Sequence, residues 1–399
     1  MTDETLPTVR LRPKANARAI RHGFPWVYAD ELVTDRRTKA LAPGSLVRLE
    51  DAERAPLGVA TVNPNWKIIV RMLDTDPAAV IDRGWLAARL ARALALRETL
   101  FDAPFYRLVH AEADGLPGVV IDRFGDAAVI QPNAAWADRL LPDLAAALAE
   151  VTGVTRIVMN GSGRARGLEG LDERTEVIAG AIEAPVEVPM NGAVYLADLT
   201  GGQKTGLFYD QRPNHAFAQR LARGGRVLDV FSHVGGFGLA ALAGGAASAT
   251  CVDGSAAALA LAEGGARAMG LEPRLTTRQG DAFAVMEALA AEGARFDVVI
   301  CDPPAFAPSK QALEAGLRAY ERTARLAAPL VAPGGYLGLC SCSHAATLDL
   351  FRNASARGIG RGGRRMQLLH TGFAGPDHPM LPQLAESGYL KALFFRLDG

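Results

Sequence analysis

The sequence predicts an α/β protein whose second half is a doubly wound, mostly parallel sheet, preceded by a small β-rich segment and an α+β segment. Three observations predict it. From about Val188 onward, strand-like runs (RVLDVF, SATCVD, PRLTTRQGD, FDVVICD, GYLGLCS) alternate with Ala-rich stretches of helical period. That alternation builds parallel sheets whose ligands sit at the strands' carboxyl ends. Between Val9 and Leu73, short β-prone runs are punctuated by Pro43-Gly44 and Asn63-Pro64-Asn65, as in a small barrel. Between them, helix and strand patterns mix.

In order, VRLRP, GSLVRLED, PLGVATVNP and KIIVRML read as strands, with a helix after Asn16. Residues 1–74 are expected to form one domain. Residues 75–187 are expected to form a second. It opens with a helix from Ala78 to Leu100, then a hairpin of YRLVHAEAD and GVVIDRF around Gly115-Leu116-Pro117-Gly118, a helix near Trp136 to Glu150 and a strand at RIVMN. Residues 188–399 are expected to form the third, with helices from about Gly236, Ala256, Ala282, Lys310 and Ala345 and a closing strand pair near RRMQLLH and YLKALFFRL. The segment from Gly358 to Arg365 reads as a flexible basic loop.

The chain has 399 residues, enough for two or three cores. Its 49% hydrophobic and 22% charged residues describe a soluble globular protein. Net charge is zero, which excludes a protein that coats nucleic acid by bulk charge. No apolar run approaches the ~18 residues of a membrane span, and the start lacks a secretory core, so the cytoplasm is the expected address. Cys251, Cys301, Cys340 and Cys342 show no disulfide framework. Two basic stripes stand out: Arg10, Arg12, Lys14, Arg18 and Arg21, and Arg352, Arg357, Arg361, Arg364 and Arg365. Stripes of this kind are solvated faces unless a nucleic-acid partner is argued independently.

The strand ending at Asp229 runs into DVFSHVGGFGLA, where Gly235, Gly236 and Gly238 let backbone approach a ligand at a helix N-terminus. Asp253, Asp281 (in QGDAF) and Asp302 (in CDPPAF) end the next strands. Successive acids suit an adenosine carrying a cationic amino-acid tail, with Asp229 toward the amino group, Asp253 toward the ribose and Asp281 toward adenine. They suit a pyrophosphate badly. For any single Asp, a helix N-cap is an equal reading. Cys340-Ser341-Cys342-Ser343 ends a strand at the same sheet edge, and alternation puts Cys340 and Cys342 on one face with Cys342 nearer the mouth. A buried structural thiol and a zinc ligand are competing readings, the second poorly matched to C-x-C. A thiolate beside an acid has a chemical purpose: adding to carbon 6 of a pyrimidine makes carbon 5 nucleophilic toward a methyl donor. Asp302 would then hold the base edge, and the group that takes the carbon-5 proton stays open between Asp302, a water and His344. His344 otherwise caps or packs the helix that follows.

RLRPKANARAIRHGFPWVYADEL, HAEADGLPGVVIDRFG, RGLEG, KTGLFYDQRPNH, DVFSHVGGFGLAA, CDPPAFAPSK, SCSHA, and DHP with GYLKA together resemble the large-subunit rRNA cytosine-5 methyltransferases of the methyltransferase I type. The resemblance covers nearly the whole chain. It implies a PUA-like domain, a central EEHEAD-type α+β domain and a Rossmann-like class I methyltransferase domain with a seven-stranded sheet. It implies S-adenosyl-L-methionine as cofactor and 23S rRNA, or a large-subunit precursor, as partner. The oligomeric state stays open, a homodimer included.

Carried onto this chain, the resemblance makes Cys342 the nucleophile and Asp302 its acid. Phe208, Asp210, Arg212, Asp229, Gly235, Gly236, Asp253, Asp281 and Asp302 would line the donor site, with Lys204 and Thr205 nearby. Arg12, Lys14, Pro303 and Phe306 would meet RNA. His233 and Val234 stand where the family shows an aromatic and a hydroxyl residue. His344 replaces a usual glycine, and Cys340 an apolar residue. Two other functions are compatible with the same motifs. One is a guanine or other base-nitrogen methyltransferase that needs no cysteine. The other is a non-catalytic RNA-binding assembly factor, which would require a degraded donor pocket.

Overall fold

A computed structural model describes residues 6–201 and 206–398, which fall into two compact units. The first holds residues 1–183, 199–205 and 377–387; the second holds 184–198, 206–376 and 388–399.

The first unit contains two five-stranded sheets. One runs Thr8–Arg10, Ser45–Glu50, Pro56–Val62, Ile68–Asp74, Trp26–Tyr28 in spatial order. The Trp26–Tyr28 strand is too short for an alternation pattern and was not expected. The helix after Asn16 spans Ala17–Arg21, and the Asn16 side chain accepts from the Ala19 amide at 3.0 Å, a normal N-cap. The second sheet orders Thr175–Ala179, Arg156–Asn160, Ala127–Pro132, Val119–Phe124, Phe105–His110. The long helix runs Arg83–Leu100 and begins later than its Ala/Leu pattern suggests, because the Asp82 side chain caps it at the Trp85 amide. The expected helix over 136–150 is two, Ala135–Arg139 and Leu141–Thr152, with Pro142 restarting the second. Val59 and Leu73 of the first sheet pack into the same core as Leu86, Leu90 and Ile121, so the two sheets share one apolar interior.

The second unit opens with a hairpin, Val186–Met190 and Ala193–Ala197, whose turn residues Asn191 and Gly192 both have positive φ. Helix α1 (Arg212–Leu221) leads into the sheet: β1 (Arg226–Val230), α2 (Gly236–Ala243), β2 (Ser248–Asp253), α3 (Ala256–Ala268), β3 (Leu275–Gln279), α4 (Ala282–Ala291), β4 (Phe296–Cys301), α5 (Leu313–Ala327), β5 (Val331–Ser341), α6 (Leu348–Arg361), β6 (Arg365–Gly372) and β7 (Lys391–Asp398). The order is β3-β2-β1-β4-β5-β7-β6, and β7 is antiparallel to both neighbours. Strand order reverses between β1 and β4, where open α/β sheets bind ligands. The central strands are apolar on both faces because helices cover both. No helix among the described residues is long and apolar enough to cross a membrane.

Two expectations are corrected. Residues 358–365 are not a flexible loop. Gly358 sits in the last turn of α6, where a Cβ would meet the Glu321 carbonyl oxygen at 2.3 Å, so its bare backbone lets α6 cross close over α5. Arg364 donates to the carbonyls of Ala328, Val331, Ala332, Leu397 and Asp398. Arg357 and Arg361 both pair with Glu321, and Arg352 with Asp349. Most of this basic stripe is thus engaged within the fold rather than offered to a polyanion. His344 does not cap α6 either: it is exposed, and the Thr347 side chain accepts from the Leu350 amide.

Gly238 has a packing reason. A Cβ there would lie 2.5 Å from the Cys251 sulfur, closer than real contacts allow. Gly238→Ala is expected to push α2 off β2 and to cost about 1–3 kcal/mol, read as a lower midpoint in urea unfolding.

Candidate active site

After β1 the chain turns sharply through Phe231, His233 and Gly235, whose φ values are 63°, 50° and 81°. Two non-glycine residues in the left-handed region within one turn mark a strained segment held by its surroundings. Fully buried Asp229 is the anchor. Its Oδ2 accepts from the Phe237 amide at 3.1 Å and the Gly238 amide at 2.8 Å, the first turn of α2. Its Oδ1 is buried with no partner among the described residues. Burial pushes this carboxyl up to about 7, against the pull of the two amides and helped by the charge of Asp253.

Asp253 ends β2, half-buried. It accepts the His233 amide on Oδ2 at 2.9 Å and the Ser255 amide on Oδ1 at 2.9 Å. Those two bonds fix the carboxylate's orientation and leave a lone-pair direction on each oxygen. The His233 ring lies against Phe208, centroids 5.0 Å apart. Asp281 is exposed and caps α4 through Oδ1 to the Ala284 amide at 3.0 Å. The N-cap alternative is therefore literally present at Asp281, and Asp229 also binds helix amides. Gly235 and Gly236 have internal reasons as well. Gly235 supplies the left-handed turn, and a Cβ on Gly236 would meet the His215 ring at 2.9 Å. His215 is held neutral, its pKa pushed down to about 3 by burial.

Asp302 follows β4 directly. Its Oδ2 accepts from the Gln211 side-chain amide at 2.9 Å, and Gln211 Oε1 accepts in turn from Asn214 at 2.7 Å. Asn214 thereby sets which end of the Gln211 amide faces Asp302. Asp210 is buried, with Oδ2 accepting the Tyr389 hydroxyl at 2.6 Å. Arg212 begins α1 with its guanidinium 5.3 Å from the Tyr209 ring. Pro303 is buried. Phe306 is half-buried in a ring cluster with Tyr320 (5.1 Å), Phe231 and Phe283 (both 6.3 Å), so its aromatic contacts are to the protein itself.

The four cysteines differ sharply. Cys251, Cys301 and Cys340 are buried; Cys342 alone is partly exposed. Cys340 lies inside the strand on the same face, and Cys342 lies just past the strand's end. Ser341 and Ser343 point inward, where both hydroxyls meet the Tyr320 hydroxyl at 2.9 and 2.7 Å, and Cys342 between them faces the other way. The Ser343 hydroxyl also accepts the Ala307 amide at 3.0 Å, tying the turn that carries Cys342 to the loop that follows Asp302. Cys301 pairs with Leu339 in register, which puts Asp302 level with Cys340 and Cys342 two residues further along. Asp302 and Cys342 thus lie on adjacent strand ends at one sheet edge.

Sequence reasoning missed Gln211, Tyr320, Tyr389 and Lys391. Gln211 stood inside KTGLFYDQR, between two residues that were singled out. Lys391 was a lone charge at the head of an apolar strand, LKALFF, which is itself a signal. Arg12 and Lys14 are exposed in the first unit, with Arg12 Nε donating to the Leu32 carbonyl at 2.9 Å. Asp30 and Glu31 line the same hollow and weaken its appeal to a phosphate. Lys204 and Thr205 lie outside the described residues.

The second unit's carboxylates fit a cationic nucleoside donor. Buried Asp229 has one oxygen unsatisfied, Asp253 is oriented at a strand end with lone pairs to spare, and Asp281 is accessible. The family described as S-adenosylmethionine-dependent methyltransferase matches residues 132–396, and a PUA-like domain matches residues 9–75. A ribosomal RNA large subunit methyltransferase from Deinococcus radiodurans is 36% identical, covering 98% of each chain. Ribosomal RNA large subunit methyltransferase I from Pseudoalteromonas atlantica is 33% identical, covering 98% of this chain and 99% of its own. A Streptococcus mutans protein described as a SAM-dependent methyltransferase shares the fold at TM-score 0.81 and 19% identity, over 98% of this chain and 100% of that one. This chain therefore belongs to the S-adenosylmethionine-dependent methyltransferase family that includes the ribosomal RNA large subunit methyltransferases, with a PUA-like domain near its N-terminus.

Proposed function

We propose that this protein forms 5-methylcytidine in 23S ribosomal RNA or a large-subunit precursor, in the cytoplasm, with Cys342 as nucleophile. The observation that carries the reading is the single accessible thiol, on the strand end next to Asp302, while the other three are sealed. Bound S-adenosyl-L-methionine would supply an electrophilic methyl group, held by Asp229, Asp253 and Asp281, with Phe208, Asp210 and Arg212 on the approach. The Cys342 thiolate adds to carbon 6 of a cytosine and turns carbon 5 into a nucleophile. Asp302, its Oδ2 held by Gln211, faces the base edge and stabilises the charge that develops on the ring. Once carbon 5 carries the methyl group, transfer of its proton to Asp302 or a water expels the thiolate and restores the ring. Pro303 shapes the wall beside the base, with Phe306 behind it. Arg12 and Lys14 would meet phosphates at the other unit.

The test is mass-spectrometric mapping of large-subunit rRNA from cells with and without the protein. A cytosine that loses carbon-5 methylation supports the reading; loss of a guanine-nitrogen methyl instead would replace it. Gln211→Leu should leave donor affinity unchanged and lower kcat by about 10–100-fold, since Asp302 loses the bond that aims it. Steady-state kinetics with donor titration checks this.

A further inference from the structure

Lys391 is the first residue of β7, pairs with Ser341 at the end of β5, and is 5% exposed. Lysines are seldom buried unless an anion offsets the charge. Its ammonium donates to the Ser343 carbonyl at 2.7 Å and the Tyr389 carbonyl at 2.8 Å. Ser343 adjoins Cys342, so this cation is bonded to the very turn that carries the thiol. The charge of Cys342 acts on this amine, raising its pKa against the effect of burial. Two carbonyl dipoles thus anchor this buried amine beside the thiol's turn.

We propose that Lys391 is the counter-ion of Cys342, holding the sulfur as a thiolate. It is a positioning residue for the proposed cytosine chemistry, and in that use it rests on the reading of Cys342 as nucleophile. The proton balance is simple. The thiol proton is taken up by the lysine amine, leaving R–S⁻ on the turn to which R–NH₃⁺ is hydrogen-bonded, and no other reactant is needed. The thiolate donates its electron pair to carbon 6 and gets it back on leaving, so the ammonium is unchanged across a turnover.

The described surroundings give such a cation a purpose. Asp302, at the end of the neighbouring strand, is an anion whose charge already pushes the Cys340 thiol upward, after burial. An anion so placed disfavours a thiolate at Cys342 too. Tyr320, from α5, spends its hydroxyl on Ser341 and Ser343, and burial raises its pKa. Tyr389 spends its hydroxyl on Asp210. His344 is exposed beyond the turn. Burial pushes Lys391 down to about 8, and the Cys342 charge opposes that shift. The lysine therefore keeps its charge below about 8, and the ion pair spans the range from the sulfur's own midpoint up to that pH.

The test is the pH dependence of iodoacetamide alkylation of the full-length protein, without RNA or donor. Cys251, Cys301 and Cys340 are buried, so the rate reports Cys342, with Cys342→Ser as the blank. The wild-type midpoint is expected below the ~8.5 of a free thiol. Lys391→Met should raise it by about one pH unit, slowing alkylation at pH 7 about ten-fold, while Lys391→Arg keeps most of the effect. A wild-type midpoint at or above that of a free thiol overturns the proposal, and this needs no variant to fold. An unchanged midpoint in folded Lys391→Met overturns it as well. Failure of the nucleophile reading is a separate result: a low midpoint with methyl transfer surviving in Cys342→Ala keeps the ion pair and removes its catalytic use.

Discussion

Cys342→Ala is expected to lower methyl transfer to deproteinised large-subunit rRNA by at least about a thousand-fold, with donor affinity unchanged. Carbon 5 of cytosine is too poor a nucleophile to take a methyl group until a thiolate has added at carbon 6, so no neighbouring residue can substitute. Cys340, two residues earlier, cannot take over. It is buried against Gln211 and Cys301, and burial raises its pKa well above that of a free thiol. Folding should survive, because Cys342 is partly exposed and the turn is held by Ser341, Ser343 and Tyr320. Incorporation of labelled methyl and calorimetry with the donor measure the two halves of the prediction. Substantial methylation by the alanine variant would mean that a ring or exocyclic nitrogen receives the methyl directly.

Donor binding should weaken as pH falls below about 7, by up to about ten-fold per unit, and Asp229→Asn should flatten that dependence and cost at least about ten-fold in affinity at pH 8. The buried carboxyl, raised to about 7, is protonated below that pH, and a donor ammonium must expel the proton to pair with Oδ1. The sign for stability is opposite. A carboxyl whose folded pKa lies above its unfolded value contributes stability that is full below about 4 and is lost as pH rises through about 7. The donor-free protein should therefore melt higher at pH 6 than at pH 8 through this group, while the donor stabilises it more at pH 8. Calorimetry in buffers of different ionisation enthalpy would count the proton released. A donor affinity flat from pH 5.5 to 8 in the wild type would show that Asp229 does not meet the ammonium.

The seven-stranded sheet was legible because most of its strands carry an apolar run, and the first five alternate with helices of helical period. The strands that escaped notice lack that contrast. Ala127–Pro132 is buried on both faces, so nothing alternates along it. The Val186–Ala197 hairpin did carry a signal, Asn191-Gly192 between two β-prone runs, which went unread. Gly358 to Arg365 misled because glycine and arginine together look like a solvated loop. In the fold the glycine serves a helix crossing and Arg364 serves buried carbonyls.

Sequence alone determined the acids at successive strand ends, the C-x-C that closes a strand beside them, and the topology that gathers them at one sheet edge. Periodicity decides which residues share a face, and a parallel sheet sends every strand's carboxyl end the same way. Only the tertiary structure decided what each acid's oxygens are bonded to, that Gln211 aims Asp302, and that a lysine 48 residues along the chain from Ser343 donates to its carbonyl beside Cys342. Those facts depend on antiparallel β7 returning next to β5, a pairing between residues some fifty positions apart that no local pattern encodes.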